Sequence, residues 1–189
     1  MDIANGEGIR VSLFVSGCTH RCKGCFNSPA WDFNYGSPYT ESVEREIAKL
    51  VECKYVSGLS LLGGEPFEPP NQRALLTLVR RVAAMDGKNI WAYTGYTYES
   101  DLLKGGRAHC EATDEILDSI DVLVDGEYKL SMELIYSSIS GCPCQEFSQN
   151  NFHARPAKKR RSPASSHLVI RRLSQHCRAG SRDIWCPES

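Results

Sequence analysis

The first 130 residues alternate between two hydrophobic periods. Val11 to Val15 in "IRVSLFVSG" is rich in β-branched and apolar residues and stops at Gly17, which predicts a buried strand. In "TESVEREIAKLVE" the period changes to 3.6. Val43, Ile47, Leu50 and Val51 fall on one helical face, Thr40 stands where an N-cap belongs, and acidic residues fill the first turn. "GLSLL" (Gly58 to Leu62) runs into Gly63-Gly64 as a second strand. "NQRALLTLVRRVAAM" predicts a second helix with Leu75, Leu78, Val79 and Val82 on one face. "NIWAYTGY" is a third strand stopping near Gly95, "ATDEILDSI" a third helix, and "DVLVDGEY" a fourth strand broken at Asp125-Gly126.

The order β-α-β-α-β-α-β predicts an α/β domain, a parallel sheet with helices packed on it. Such sheets carry their chemistry at the carboxyl ends of the strands. The sharpest motifs fall there: a cysteine-rich loop, Gly63-Gly64-Glu65, Thr94-Gly95 and Asp125-Gly126. Beyond about Leu130 the periodicity dissolves into Ser, Pro, Asn and Arg. The expectation is an ordered domain over residues 1–139 and a mostly disordered tail over 140–189, in which His167 to Leu173 could form a short helix or strand.

Composition agrees with one core. The chain has 189 residues, 41% of them hydrophobic. No run approaches the roughly 20 apolar residues of a membrane helix, and the start lacks a secretory pattern, so a cytoplasmic protein is expected. The net charge of −1 hides an asymmetry of −8 over residues 1–150 and +7 over 151–189. Lys158 to Arg161 ("KKRR") could suggest nucleic acid, but few aromatics surround it, and a solvated basic tail is the better reading.

Nine cysteines change the picture more. An odd number cannot pair fully, and a core of this size does not need disulfides. "VSGCTHRCKGCFN" gathers Cys18, Cys22 and Cys25 as C-x3-C-x2-C, with no fourth cysteine until Cys53. A cubane [4Fe–4S] cluster held by three thiolates keeps one iron open for a substrate or cofactor, a direct reason to withhold the fourth thiol. Structural zinc is the rival, closed by His20 or by the distant Cys142 and Cys144. Cys53 and Cys110 read as ordinary small apolar residues.

The triplet resembles the signature of the radical S-adenosylmethionine (SAM) superfamily. More narrowly, "DIANGEGIRVSLFVSGCTHRCKGCFN", "LSLLGGEPF", "WAYTGYTYE" and "DVLVDGEY" resemble, in order, the activating proteins of anaerobic class III ribonucleoside-triphosphate reductases. The resemblance covers about residues 2–130. It implies a partial (βα) barrel with helices outside, and a [4Fe–4S] cluster on Cys18, Cys22 and Cys25 with SAM on the open iron. Gly63, Gly64 and Glu65 would lie along the methionine amino group, and Phe26 or the Gly24 backbone, flanking Cys25, would meet the adenine. Thr94 and Asp125 would touch methionine or ribose. The bland alternatives are a strand-to-helix turn with a solvent-facing acid at Glu65, a core aromatic at Phe26, a capping hydroxyl at Thr94 and a turn carboxylate at Asp125.

The implied reaction is reductive cleavage of SAM, yielding a radical that takes hydrogen from a backbone glycine of the reductase. A one-electron donor such as flavodoxin would supply the electron. Other readings are another radical SAM reaction, or a non-catalytic zinc or nucleic-acid-binding protein. The family's usual continuation is missing after residue 130. A reading-frame shift in the underlying sequence would produce that break, and a genuine extension is the alternative.

Overall fold

The computed structural model describes residues 1–128 and the backbone of 151–154. Among the described residues eight regular elements carry the fold. They are β1 (Arg10–Val15), α1 (Glu41–Glu52), β2 (Gly58–Gly63), α2 (Pro69–Ala83), β3 (Asn89–Tyr93), α3 (Thr113–Ser119), β4 (Val122–Asp125) and β5 (Asn151–Ala154). A 3₁₀ turn (Ser28–Trp31) follows the cysteine loop, and a π-helical turn (Tyr98–Leu102) follows β3. The strands lie side by side in chain order. β1 to β4 are mutually parallel, and β5 pairs antiparallel with β4.

Local chemistry explains the boundaries. The Thr40 side chain accepts from the Val43 N–H at 3.4 Å, and Glu41 and Glu44 sit in the first turn of α1. α2 starts at Pro69, two residues before the predicted start at Asn71, because its first-turn prolines lack N–H groups that a helix start leaves unpaired anyway.

Alternation along the strands separates two faces. Val11, Leu59, Leu61, Ile90, Ala92 and Leu123 share one core with residues from all three helices, among them Ile47 and Val51 of α1, Leu75 and Val79 of α2, and Ile116 of α3. Crossovers of one hand with strands in sequential order put every helix on the same side. This one-sided winding gives the expected α/β sheet with helices outside. Among the described residues the sheet is open, with β1 and β5 at its edges. Leu50, expected on the buried face of α1, is 44% exposed. The Ile47–Val51 row faces the sheet and Leu50 lies at its margin.

The other face is polar and aromatic. Ser12, Ser60, Trp91 and Val122 form one row across the four strands, and Phe14 pairs with Leu62 in another. Arg10 fills the amino-terminal end of this face. Its fully buried side chain donates to Ser60 Oγ (2.7 Å), the Leu59 carbonyl (2.8 Å) and Asn89 Oδ1 (2.6 Å), with the guanidinium 5.4 Å from the Trp91 ring centre. A guanidinium stays ionised in such a place and spreads its donors over several acceptors.

β5 lies within the stretch expected to lack structure. The predicted domain boundary near residue 140, Cys142, Cys144, Lys158 to Arg161 and His167 to Leu173 lie outside the described residues. Among the described residues no helix is long and apolar enough to cross a membrane.

Candidate functional site

The cysteine loop leaves the carboxyl end of β1 through Gly17, whose φ of +90° is left-handed and whose added Cβ would lie 2.3 Å from the Phe33 ring. The chain then returns beside itself. Gly17 N–H donates to the Ala30 carbonyl at 2.8 Å, and Cys18 N–H to that of Trp31 at 3.2 Å. Between these ties, Cys25 N–H donates to the Cys22 carbonyl at 3.1 Å, a turn in which Gly24 takes φ +81°. Arg21, beside Cys22, has φ +49°.

Cys18 is buried, and Cys22 and Cys25 are half-buried. Burial pushes the Cys18 thiol up, while the N–H groups of His20 and Arg21 donate to its sulfur and pull the other way. Burial also pushes Cys22 up, followed by the charge of Glu127, against the N–H of Tyr128; the Cys25 thiol adds to the rise. Backbone N–H groups aimed at sulfur stabilise a thiolate once a metal has displaced the proton. Three thiols on one loop, two reachable from outside and one already facing N–H donors, fit a thiolate-held cluster. Among the described residues no three His, Cys, Asp or Glu side chains converge as ligands of a single metal ion. A cubane holds its thiolates on separate irons and needs no such convergence.

Gly63 and Gly64 bring β2 against this loop. Gly63 has φ +114°, and a Cβ on it would sit 2.6 Å from the backbone of Val15. A Cβ on Gly64 would lie 2.7 Å from the Gly17 carbonyl oxygen and 2.8 Å from that of Ala30. Gly64 N–H donates to Val15 O (2.7 Å) and Glu65 N–H to Gly17 O (2.9 Å). The resemblance implies that these glycines lie along a cofactor; in the structure Gly63 closes on the backbone of β1 and Gly64 on that of the cysteine loop.

Glu65 is 1% exposed and turns inward. Its Oε1 accepts from Phe67 N–H (2.8 Å) and Thr94 Oγ1 (2.7 Å), and its Oε2 from Gly95 N–H (2.8 Å). The turn-acid alternative, with Glu65 facing solvent, is thereby corrected. The Thr94 hydroxyl donates to Glu65, and its oxygen accepts from Tyr96 N–H at 3.1 Å. Asp125, also fully buried, accepts the Tyr98 N–H at 2.6 Å. Phe26 is 81% exposed, so it is not a core residue.

Several residues that organise the site carried little signal. His20 Nε2 lies 3.2 Å from Glu65 Oε2, off the line of a straight hydrogen bond, and its ring meets Tyr96 edge-on at 4.3 Å. Buried Glu68 accepts from Thr19 at both the backbone N–H (2.7 Å) and the hydroxyl (2.5 Å). Asn71 Nδ2 donates to the carbonyls of Ser16 (2.9 Å) and Glu65 (2.8 Å). Glu65, Glu68 and Asn71 sit three apart in "GGEPFEPPN". That spacing was the available clue, since it lines one side of a turn entering a helix.

Comparison with known proteins agrees with this geometry. The family described as "4Fe-4S single cluster domain" matches residues 4–147. The chain is 41% identical over 134 residues to the anaerobic ribonucleoside-triphosphate reductase-activating protein of Pasteurella multocida (strain Pm70), covering 68% of this chain and 79% of the relative. It is 40% identical over 131 residues to the protein of that name from Escherichia coli (strain K12), covering 68% and 80%. The protein of that name from Enterobacteria phage T4 is 37% identical over 132 residues, covering 69% and 78%. No solved structure matches significantly.

Proposed function

The chain belongs to the family of anaerobic ribonucleoside-triphosphate reductase-activating proteins, and on that premise we propose that it is an iron–sulfur, SAM-dependent activase that generates a glycyl radical on the anaerobic reductase. The supporting observation is the loop from Cys18 to Cys25, fixed at the carboxyl end of β1 and tied to the ends of β2 and β3 through Gly64, Glu65 and His20.

Cys18, Cys22 and Cys25 would hold a [4Fe–4S] cluster, one thiolate to an iron, leaving one iron for SAM. When bound, the cluster and SAM together supply one-electron cleavage of a sulfonium carbon–sulfur bond and with it a hydrogen-abstracting carbon radical. The chain's own residues orient and shelter. Glu65 joins the carboxyl ends of β2 and β3 beneath the cysteine loop, and Glu68 clamps Thr19 inside it. Phe26, exposed next to Cys25, is available to cover a planar ring such as adenine. Gly24 keeps the space before Cys25 free of a side chain. Thr94 and Asp125 would face the methionine or ribose from the ends of β3 and β4, with Thr94 bonded to Glu65 and Asp125 holding the Tyr98 N–H.

The electron would come from a small donor such as flavodoxin, and the partner would be the reductase subunit bearing the glycine. The test is anaerobic reconstitution with iron and sulfide, then SAM and a chemical reductant. Methionine and 5′-deoxyadenosine should appear, and a glycyl radical should be visible by electron paramagnetic resonance once the reductase is added. Cluster formation without SAM cleavage would refute the activase reading.

A further inference from the structure

His20 stands between the second and first cysteines of the triplet, yet its ring turns away to the end of β3. Its side chain is 8% exposed. It occupies the notch over Gly95, where an added Cβ would lie 3.0 Å from His20 Cδ2 and 3.1 Å from Nε2. One side of the ring faces the Glu65 carboxylate at 3.2 Å. Another meets Tyr96 at 4.3 Å with the planes 60° apart, and the Arg107 guanidinium lies 5.0 Å from the Tyr96 ring centre. Glu65 in turn holds Thr94 Oγ1 and Gly95 N–H. The imidazole is thus wedged into the β2–β3 corner beside Thr19, whose hydroxyl bonds Glu68, while the backbone N–H of His20 donates to Cys18 sulfur.

The geometry points to His20 as a positioning residue that fixes the cysteine loop for cluster binding. Its wedge between Glu65, Gly95 and Tyr96 holds the His20 and Arg21 N–H groups over Cys18 and sets where Cys22 follows. This rests on the cluster reading above. The role is mechanical, and the ring does not serve as a ligand. It also gives Gly95 a reason beyond its turn, because a Cβ there would crowd the imidazole and force it to shift.

The test compares anaerobically reconstituted wild type, His20→Ala, His20→Gln and Gly95→Ala. Iron release to a ferrous chelator and the electron paramagnetic resonance signal of the reduced cluster are read for each. His20→Ala and Gly95→Ala should lose iron about 10–100-fold faster, the usual effect of removing a residue that orients a metal ligand. Their reduced-cluster signals should broaden or split. His20→Gln keeps a flat polar side chain that fills much of the same notch beside Glu65 and should return most of the way to wild type. Should His20→Ala fail to fold, Gly95→Ala carries the same test, since it shifts the ring without substituting any residue of the cysteine loop. Wild-type release rates and signals in both variants overturn the inference, as does a Gln variant no better than Ala. A wild type that assembles no cluster overturns the cluster reading itself, and the inference with it, an outcome read from the wild-type arm alone.

Discussion

Glu65→Gln tests whether the buried carboxylate is a tie between strands or a ligand for SAM. The carboxylate accepts three hydrogen bonds from the protein, two on Oε1 and one on Oε2. An amide has a single acceptor oxygen. If its nitrogen takes the Oε2 position it meets the Gly95 N–H, donor against donor. If it takes the Oε1 position it meets the Phe67 N–H and displaces the Thr94 hydroxyl bond. Either way at least one charge-assisted bond, about 1.5–3 kcal/mol, is lost and a buried donor is left unpaired at about 1–3 kcal/mol more. Some relaxation is expected, so a loss of about 3–5 kcal/mol is reasonable. At about 2–4 °C per kcal/mol for a chain of this size, Tm should fall by roughly 6–20 °C. The assay is anaerobic thermal unfolding followed by circular dichroism, with and without reconstituted cluster. The fall should appear in both forms. A Glu65→Gln protein with wild-type Tm that fails only in SAM affinity would refute the structural assignment and return Glu65 to the ammonium.

Gly64→Ala should reduce stability and iron retention together, because its Cβ would press on the carbonyls of Gly17 and Ala30 at 2.7 and 2.8 Å. Such overpacking costs about 1–3 kcal/mol, read by thermal unfolding and iron content. Single Ala variants of Cys18, Cys22 and Cys25 should each lose the broad visible absorption of the reconstituted protein, while Cys53→Ala should keep it. Burial alone would raise the Asp101 carboxyl, but hydrogen bonds from Thr97 N–H and Arg107 outweigh it and hold it below the ordinary 3.8. Its ionised form therefore stabilises the fold above pH 3.8 and stops doing so as pH falls through its lowered value. Asp101→Asn should be less stable than wild type at neutral pH, with the gap in Tm closing below that range.

Much of the fold was legible because it rests on periodicity. Val11, Ile47, Leu75, Leu78, Val79 and Val82 fall where alternation and the 3.6 period put them, and all are buried. α2 begins two residues earlier than its apolar face indicates, because Pro69 and Pro70 carry no face signal yet suit a first helical turn. Within the site, the cysteine spacing and the glycines were visible as motifs, but not what each glycine touches. Gly64 and Gly95 each leave room for another part of the chain, the cysteine loop backbone and the His20 ring. An acid on a turn looks the same in sequence whether it faces solvent, like Glu127, or is buried among three donors, like Glu65. Long-range pairings such as Glu68 with Thr19 depend on crossovers bringing strand ends together, which no local pattern encodes.

The central claim is that three thiolates hold a cluster whose remaining iron is open to SAM. Mössbauer spectroscopy of protein reconstituted anaerobically with ⁵⁷Fe, before and after adding SAM, addresses it directly. The account predicts a [4Fe–4S] spectrum in which about one quarter of the iron, the single site without a cysteine, shifts when SAM is added. A spectrum unchanged by SAM, or a preparation that takes up one zinc per chain in place of iron and sulfide, would contradict it.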